Sequence, residues 1–206
     1  MRSALACLFL LGCSLGPPPS VHPPRAPVCG ALAQGMVGTW VRDRSAMEIR
    51  TDGTMLRDGI EGTFRWTAPG HATIDVPGLH EEHTFGMMTA AQLLDVDTDG
   101  RSWLWGRVSI VPQYPDGCFA LTGSLVGDWT DGAVTESFRA DGTYFRGESR
   151  GRWFIAEPGY IDLSTGLIAR RYRIALAAPD LIVSAFDGVA PEDDPRGATI
   201  IEHRIR

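Results

Sequence analysis

The chain of 206 residues contains no lysine, so all 19 of its basic residues are arginines. They are scattered among 25 acidic residues and leave a formal net charge of −6. A nucleic-acid-binding protein needs basic side chains that cluster on one face or along one stripe. The charge pattern therefore argues against a nucleic-acid partner.

The motifs of several common catalytic sites are also missing. The chain has no Gly-x-Ser-x-Gly segment, no glycine-rich phosphate loop, and no Ser, His and Asp set whose spacing suggests a triad. Beyond the amino terminus, no apolar run approaches the length of a transmembrane helix. We therefore expect a protein that is not an enzyme and needs no cofactor.

The first 28 residues differ in composition from the rest of the chain. A charged start precedes an apolar run at residues 4–11, which is typical of a secretory signal and too short to remain as a membrane span. Residues 10–13, Leu-Leu-Gly-Cys, resemble the bacterial lipobox. The resemblance implies a signal peptide over residues 1–12 and attachment of acyl chains such as palmitate to Cys13. A secretory signal cut elsewhere is the alternative.

The residues after Cys13 indicate a location. For a lipoprotein of a Gram-negative cell, Ser14 in place of an aspartate implies export to the outer membrane, with the lipid as the membrane anchor. The protein would face the periplasm, and the cell surface is the alternative. Six prolines between residues 14 and 28 predict an extended tether over residues 13–28.

Two of the four cysteines lie in the body of the chain. Cys29 and Cys118 each precede a tryptophan by eleven residues. In an oxidising compartment this matched pair predicts a disulfide, which would close a long loop. Two buried free thiols are the alternative.

The chain repeats itself at an interval of 89 residues. Between residues 29–70 and 118–159, 14 of 42 aligned positions are identical. Within each copy, short β-favouring segments alternate with Gly, Asp and Pro turn signals every eight to twelve residues. We therefore expect an all-β fold of two tandem antiparallel up-and-down meander units, at residues 29–115 and 116–206, with eight strands each.

Both units begin with a Gly-x-Trp motif and continue with an Asp-Gly-Thr turn and a late pair of alternating apolar strands. These motifs resemble the small lipocalin-like domains of bacterial lipoproteins. In lipocalins the motif's tryptophan stacks on a basic residue of the last strand. The resemblance implies that Trp40 contacts Arg107 and that Trp129 contacts Arg204. Strands of five or six residues predict shallow barrels or flattened sandwiches.

The volume of the inward side chains decides whether such a barrel holds a ligand. Met87 and Met88, with Trp103 and Trp105, form the most favourable cluster for a small apolar guest, since methionine repacks readily. A solidly packed core is the alternative. Glu136 stands where the first unit has a methionine, and it either borders a polar cavity or is solvated at a strand end.

One acidic segment and one segment with two histidines have part of the residue spacing of a metal site. Asp95, Asp97 and Asp99 copy the first half of a calcium loop, whose second half is missing, so an acidic hairpin turn is the alternative. His80 and His83 are three residues apart, which points them to opposite faces of an extended strand. We expect no metal there and interpret the histidine segment as a solvated turn.

These features predict a non-enzymatic envelope lipoprotein that binds a small apolar ligand. The alternative is a structural lipoprotein with packed barrels that engages an envelope protein partner. Such a partner would bind at the acidic loop of residues 191–195, which is flanked by prolines.

Cys13→Ala removes the thiol that the lipobox resemblance assigns to lipid attachment. In a Gram-negative host we expect this variant to lose incorporated palmitate and to leave the membrane fraction, as measured by metabolic labelling and fractionation. Cys7→Ser, within the same leader, should keep both. A labelled, membrane-bound Cys13→Ala variant would contradict the lipoprotein assignment.

Overall fold

The computed structural model describes residues 35–108, 125–188 and 199–205. The signal peptide, the tether, the three cysteines assigned above and the loop at 191–195 lie outside the described residues. In the described part of the chain, no helix has the length and apolar character needed to cross a membrane.

The first repeat forms a closed antiparallel barrel of eight strands. The strands are β1 (Gly38–Arg42), β2 (Ser45–Ile49), β3 (Thr54–Arg57), β4 (Ile60–Ala68), β5 (His71–Val76), β6 (Leu79–Thr89), β7 (Gln92–Asp97) and β8 (Ser102–Arg107). Each strand pairs with the next along the chain. The barrel closes where β8 returns to β1, with Trp40 opposite Arg107 and Val41 opposite Gly106.

The second repeat forms an equivalent barrel. Its strands are β9 (Gly127–Thr130), β10 (Thr135–Phe138), β11 (Thr143–Arg146), β12 (Ser149–Glu157), β13 (Tyr160–Thr165), β14 (Ile168–Ala178), β15 (Leu181–Phe186) and β16 (Thr199–Arg204). Closure occurs where β16 meets β9, with Arg204 opposite Trp129. The expected all-β fold of tandem meander units is confirmed, and strand pairing closes each unit into a barrel.

The Asp-Gly turns have the geometry that their sequence predicts. Gly53 adopts a φ of +83°, which favours glycine, and the Asp52 carboxylate accepts the Thr54 N–H at 2.9 Å. The second repeat uses the same arrangement, in which Asp141 accepts the Thr143 N–H at 2.8 Å. Each turn therefore brings a short strand back in register with its predecessor.

The Gly-x-Trp motif fills one end of the first barrel. The buried indole of Trp40 donates its Nε1–H to the Met36 carbonyl at 2.8 Å. The Arg107 guanidinium lies 4.1 Å from the centroid of that ring and donates to the Val37 carbonyl at 2.7 Å. The predicted stacking of Arg107 on Trp40 is confirmed, and it combines a cation–π contact with capping of the chain that enters β1.

The second barrel repeats this closure. Trp129 donates to the Leu125 carbonyl at 2.8 Å, and the Arg204 guanidinium lies 4.3 Å from the centroid of its ring. Gly127 has a φ of +148°, and a β-carbon there would lie 2.6 Å from Nη1 of Arg204. Glycine suits this position because a positive φ strains other residues and because the Arg204 side chain occupies the space of a β-carbon. The predicted contact between Arg204 and Trp129 is confirmed.

The two barrels contact each other through equivalent positions. The backbone of Met87 on β6 pairs with that of Leu176 on β14, which lies one repeat length of 89 residues further along the chain. Gly86 faces Ala175, which is also its own equivalent in the second repeat. The contact is therefore isologous and resembles a two-fold dimer interface inside one chain.

Flanking contacts follow the same symmetry. Gly70 lies against Ala177, and its equivalent Gly159 lies against Met88, the equivalent of Ala177. Apolar side chains of both repeats fill the space between the barrels. The buried members of this interface cluster are Met88, Leu94, Val96, Ala175, Ala177, Ala178, Leu181, Val183 and Ala185.

Gly86→Ala tests the close approach of the barrels. A β-carbon at Gly86 would lie 2.6 Å from the Ala175 β-carbon, so the interface must shift, and we expect the free energy of unfolding to fall by about 1–3 kcal/mol. Urea unfolding measures the change. The control is Gly106→Ala on β8, where the nearest atom to the new methyl group is 3.9 Å away. Equal effects of the two substitutions would contradict the tight interface.

Candidate functional site

Bulky side chains fill the interior of the first barrel. Twelve buried residues form its core: Met36, Trp40, Met47, Ile49, Met55, Phe64, Ala72, Ile74, Phe85, Met87, Leu93 and Trp105. Phe64, Trp66 and Phe85 pack edge-on or tilted, with ring centroids 5.2–6.3 Å apart. The core of the first barrel is therefore closely packed.

The structure does not bring the five predicted ligand residues together. Met87 and Trp105 belong to the core of the first barrel, and Trp103 is partly buried against it. Met88 faces outward into the interface cluster because successive residues of a strand point to opposite sides. Glu136 lies on β10 of the other barrel.

A buried polar network lies inside the first barrel beside this core. His83 is only 4% exposed, and its Nδ1 and Nε2 lie 2.7 Å and 3.1 Å from carboxylate oxygens of Asp95 and Glu81. Trp105 donates its indole N–H to the other oxygen of Asp95 at 3.0 Å. Arg57, on β3, forms an ion pair with Glu81, on β6. The ion pair between Arg57 and Glu81 links two strands that are not neighbours, and the other contacts join adjacent strands, so the network braces the barrel.

The network favours a protonated His83. A neutral imidazole has one N–H donor, whereas His83 places both ring nitrogens against carboxylates. Burial opposes the charge, but hydrogen bonds and attraction from Asp95 and Glu81 raise the pKa of His83 above its ordinary value of 6.5. Burial likewise opposes ionisation of Glu81, but bonds from Arg57 and His83 lower the pKa of its carboxyl.

The two segments with metal-site spacing form other structures. His80 and His83 lie on strand β6, so the prediction of a turn is wrong, and His80 is exposed and paired with Asp75. In the acidic segment, Asp95 points into the barrel. Asp97 accepts the backbone N–H groups of Asp99 and Arg101 at 2.9 Å and 2.8 Å, as a hairpin turn requires. The described residues hold no cluster of three or more His, Cys, Asp or Glu side chains suited to a metal.

The second barrel has an open cavity of about 420 Å³ between strands β11 to β14. Its walls combine apolar, tyrosine and arginine side chains. The lining residues are Val134, Tyr144, Arg146, Gly147, Ser149, Leu163, Thr165, Ile168, Arg170 and Tyr172. Below it, the core of this barrel is packed, with Phe138 and Trp153 in edge-on contact at 5.7 Å between ring centroids. The cavity is therefore shallow.

The difference between the barrels follows from the residues that replace the first barrel's network. Arg57 corresponds to Arg146, but its partner Glu81 corresponds to Arg170. His83 and Asp95 correspond to Tyr172 and Ser184. Two arginines cannot form the bridge that Arg57 and Glu81 make between β3 and β6. The second barrel therefore does not repeat this particular ion pair at the two positions, which line its cavity.

Glu136 provides the partner that Arg146 needs. It is fully buried on β10, directly opposite Arg146 on β11, and the two side chains form an ion pair. The expectation of a solvated strand end is wrong, because the partly buried guanidinium of Arg146 stabilises a carboxylate that would otherwise be costly to bury. Glu136 does not line the cavity itself, but it holds a residue that does.

The cavity residues were not singled out by sequence reasoning. Arg146 and Arg57 are the same residue type at equivalent positions of the two repeats, so the repeat by itself gives Arg146 no distinct role. The signal that could have found them is the aligned replacement of Glu81 by Arg170, which removes an ion pair across the barrel. Periodicity alone does not identify that pair, because its members lie 24 residues apart.

A second depression, of about 570 Å³, includes residues of both repeats. Short polar side chains such as Thr67 and Thr84 form much of its wall, together with His71. Burial and the nearby His203 lower the pKa of His71, whose ring contacts the Thr84 hydroxyl at 3.0 Å. The lining of this depression includes the carboxylates of Glu82 and Asp97 and no tyrosine, so its walls are more polar than those of the barrel cavity.

His83→Gln tests the buried network and its pH dependence. Asp95 and Glu81 lose a charged partner, so we expect a loss of about 3–5 kcal/mol in the free energy of unfolding at neutral pH. In the parent, the raised pKa gives a stabilisation that is complete below pH 6.5 and disappears as pH rises through the folded-state pKa. Urea unfolding at several values between pH about 6 and about 9 measures this slope.

The variant should largely lose that slope. His80→Gln removes an exposed pair with Asp75 on the same strand, and solvent screening should make its effect on the slope much smaller. If His83→Gln keeps the parent's slope, His83 is not the buried cation.

Comparisons with protein-family models, with curated proteins and with solved structures found no match to this chain. The resemblance to lipocalin-like domains therefore rests on the short motifs of the sequence. The function is therefore inferred from the kind of ligand that the side chains of the second barrel can bind.

Proposed function

We propose that the protein is a non-enzymatic envelope lipoprotein that binds a small, partly apolar molecule in the open cavity of its second barrel. The observation that carries this proposal is the cavity of about 420 Å³, which falls within the size range of small-molecule sites. The first barrel, with its packed core, serves as the support. The lipobox resemblance supports a location at the outer membrane.

The cavity walls suit a ligand with apolar surface. Leu163 and Ile168 lie on neighbouring strands β13 and β14, and Val134 precedes β10. Tyr144 and Tyr172 add large ring faces that carry a hydroxyl group. Such walls bury an apolar body by the hydrophobic effect and leave polar atoms to orient it.

The packed core below the cavity limits the ligand's length. Phe138, Trp153 and Ile174 are buried beneath the lining tyrosines in one apolar cluster. A long acyl chain has no path into this core without displacing those side chains, which are packed as tightly as a protein interior. We therefore propose a compact ligand of one or two rings or a short chain.

Exposed apolar side chains on the second barrel favour one alternative function. Leu167 is fully exposed at the tip between β13 and β14, Ile168 is 52% exposed, and Phe154 on β12 is 57% exposed. Such residues could contact an envelope protein partner, so that the molecule would act as a structural lipoprotein. The ligand experiment below separates the two functions.

Thr165→Trp should fill the cavity from its rim. The neutral fluorophore N-phenylnaphthylamine is expected to bind the parent with enhanced emission, and to bind this variant at least about tenfold more weakly, because the indole occupies the ligand's space. Fluorescence titration measures both affinities, and circular dichroism checks the fold.

The matched control is Val76→Trp, at the equivalent position of the packed first barrel. It should leave the affinity of the parent unchanged. Absence of probe binding to the parent, or equal loss in both variants, would favour the structural alternative.

A further inference from the structure

We infer that the outer wall of the second barrel docks on an anionic phospholipid surface. The outer wall consists of side chains from β12 to β14 and from the tip between β13 and β14: Arg150, Arg152, Phe154, Ser164, Leu167 and Ala169. None of these six residues lines the cavity, so the inference goes beyond the cavity ligand. It rests on the proposed function only for the nearness of a membrane.

Strand alternation and register place these side chains on one surface. Trp153 is buried in the core, so its neighbours Arg152 and Phe154 point away from the barrel interior. Arg152 lies opposite Ser164 of β13, which in turn lies opposite Ala169 of β14. Three neighbouring strands therefore contribute to one continuous outer wall.

The outer wall exposes large apolar side chains that the fold does not require. Phe154 is 57% exposed, and Leu167 is fully exposed at its tip. The equivalent positions of the first barrel, which has the same strands, hold Arg65 and Gly78. The apolar residues therefore belong to a difference in surface chemistry between the barrels, and exposed apolar patches mark sites of interaction.

The charge of the outer wall changes together with its apolar character. At the six equivalent positions the first barrel has Glu61, Thr63, Arg65, Asp75, Gly78 and His80. With histidine neutral, the formal charge of these positions is −1 in the first barrel and +2 in the second. The outer wall of the second barrel is thus the more basic and the more apolar of the two.

Neighbouring side chains preserve this positive charge. Asp162, which lies opposite Phe154, is neutralised by Arg171 at 2.8 Å. The Arg150 guanidinium lies 6.0 Å from the ring centroid of Phe145, a contact that keeps its charge near the surface. Glu148, at the turn before Arg150, is an exposed carboxylate at the border of the outer wall and opposes the attraction in part.

A phospholipid surface matches both features of the outer wall. Guanidinium groups donate to phosphate oxygens, while phenylalanine and leucine side chains enter the apolar boundary of the bilayer. The whole chain carries a net charge of −6, which opposes contact with an anionic surface. Attraction to such a surface therefore requires a local basic face, because salt screens charges beyond about 10 Å.

The predicted tether explains why a second contact with the membrane has a role. About 20 residues separate Cys13 from Gly35, and an extended segment of that length reaches about 60 Å. A lipid on Cys13 would bring the body to the bilayer without selecting a face. The outer wall selects one. Leu167 adjoins the cavity residue Ile168, so docking also brings the cavity mouth beside the bilayer, from which a partly apolar ligand can enter.

The experiment measures binding of the unlipidated protein to vesicles. We use the mature chain, residues 13–206, with Cys13→Ala, and sedimentation with vesicles of phosphatidylcholine alone or with about one part in four of phosphatidylglycerol. We expect binding at least about tenfold tighter to the anionic vesicles, and weaker binding to them as salt rises from about 0.05 M to about 0.5 M.

Charge substitutions test where the preference arises. Arg150→Gln with Arg152→Gln should weaken binding to the anionic vesicles about tenfold or more, because each arginine contributes to attraction at a lipid surface. The matched control is Arg44→Gln with Arg65→Gln, which removes the same charge from exposed positions of the first barrel and should change binding less than about twofold. Glu148→Gln should strengthen binding, since it removes a repelling charge.

Apolar substitutions test the other half of the contact. Phe154→Ser with Leu167→Ser should weaken binding about tenfold and leave its salt dependence unchanged, because apolar burial is not screened by salt. The control is Leu79→Ser, at an exposed tip position of the first barrel, which should keep the parent's affinity. Circular dichroism checks the fold of every variant.

The outcomes decide the inference separately from the proposed function. Equal binding to both kinds of vesicle, or equal loss in the arginine variant and its first-barrel control, overturns the inference. Absence of vesicle binding also overturns it and leaves the outer wall to an envelope protein partner. None of these results affects the binding of N-phenylnaphthylamine in the cavity, which tests the proposed function.

Discussion

Closure of each eight-stranded meander depends on one contact, an arginine of the last strand lying over a buried tryptophan of the first. A meander has two open edges until those strands pair, and pairing removes both edges. Trp40 with Arg107 and Trp129 with Arg204 fill one end of each barrel in the same way. Because that end is filled, differences between the barrels are concentrated away from it.

The two barrels differ in the residue with which one inward arginine forms its ion pair. Arg57 forms an ion pair with Glu81 across the first barrel, next to the buried His83 and Asp95. Arg146, at the equivalent position, pairs with its neighbour Glu136 instead. The first arrangement braces a packed body, and the second leaves a cavity with two arginines in its wall. A few substitutions thus distinguish a barrel with a packed core from one with an open cavity, although both derive from one repeated unit.

Much of this fold was predictable because its determinants are local. Asp52-Gly53 and its equivalent specify tight turns through positive φ, and the Gly-x-Trp motif specifies the closure. The site was less predictable. Met88 was grouped with Met87 as a ligand residue, yet strand alternation turns it toward the other barrel. Glu136 was expected in solvent or beside a polar cavity, and its buried pairing with Arg146 required knowledge of strand register.

The sequence by itself determined the repeat, the all-β class and the residues that close each barrel, since turn chemistry and strand alternation act over a few residues. Only the tertiary structure decided that β6 and β14 join the barrels through equivalent positions. It also decided that the cavity lies in the second barrel and that Arg146 and Arg170 share it. These features depend on side chains distant in the chain, whose charges and volumes meet only after both barrels have closed.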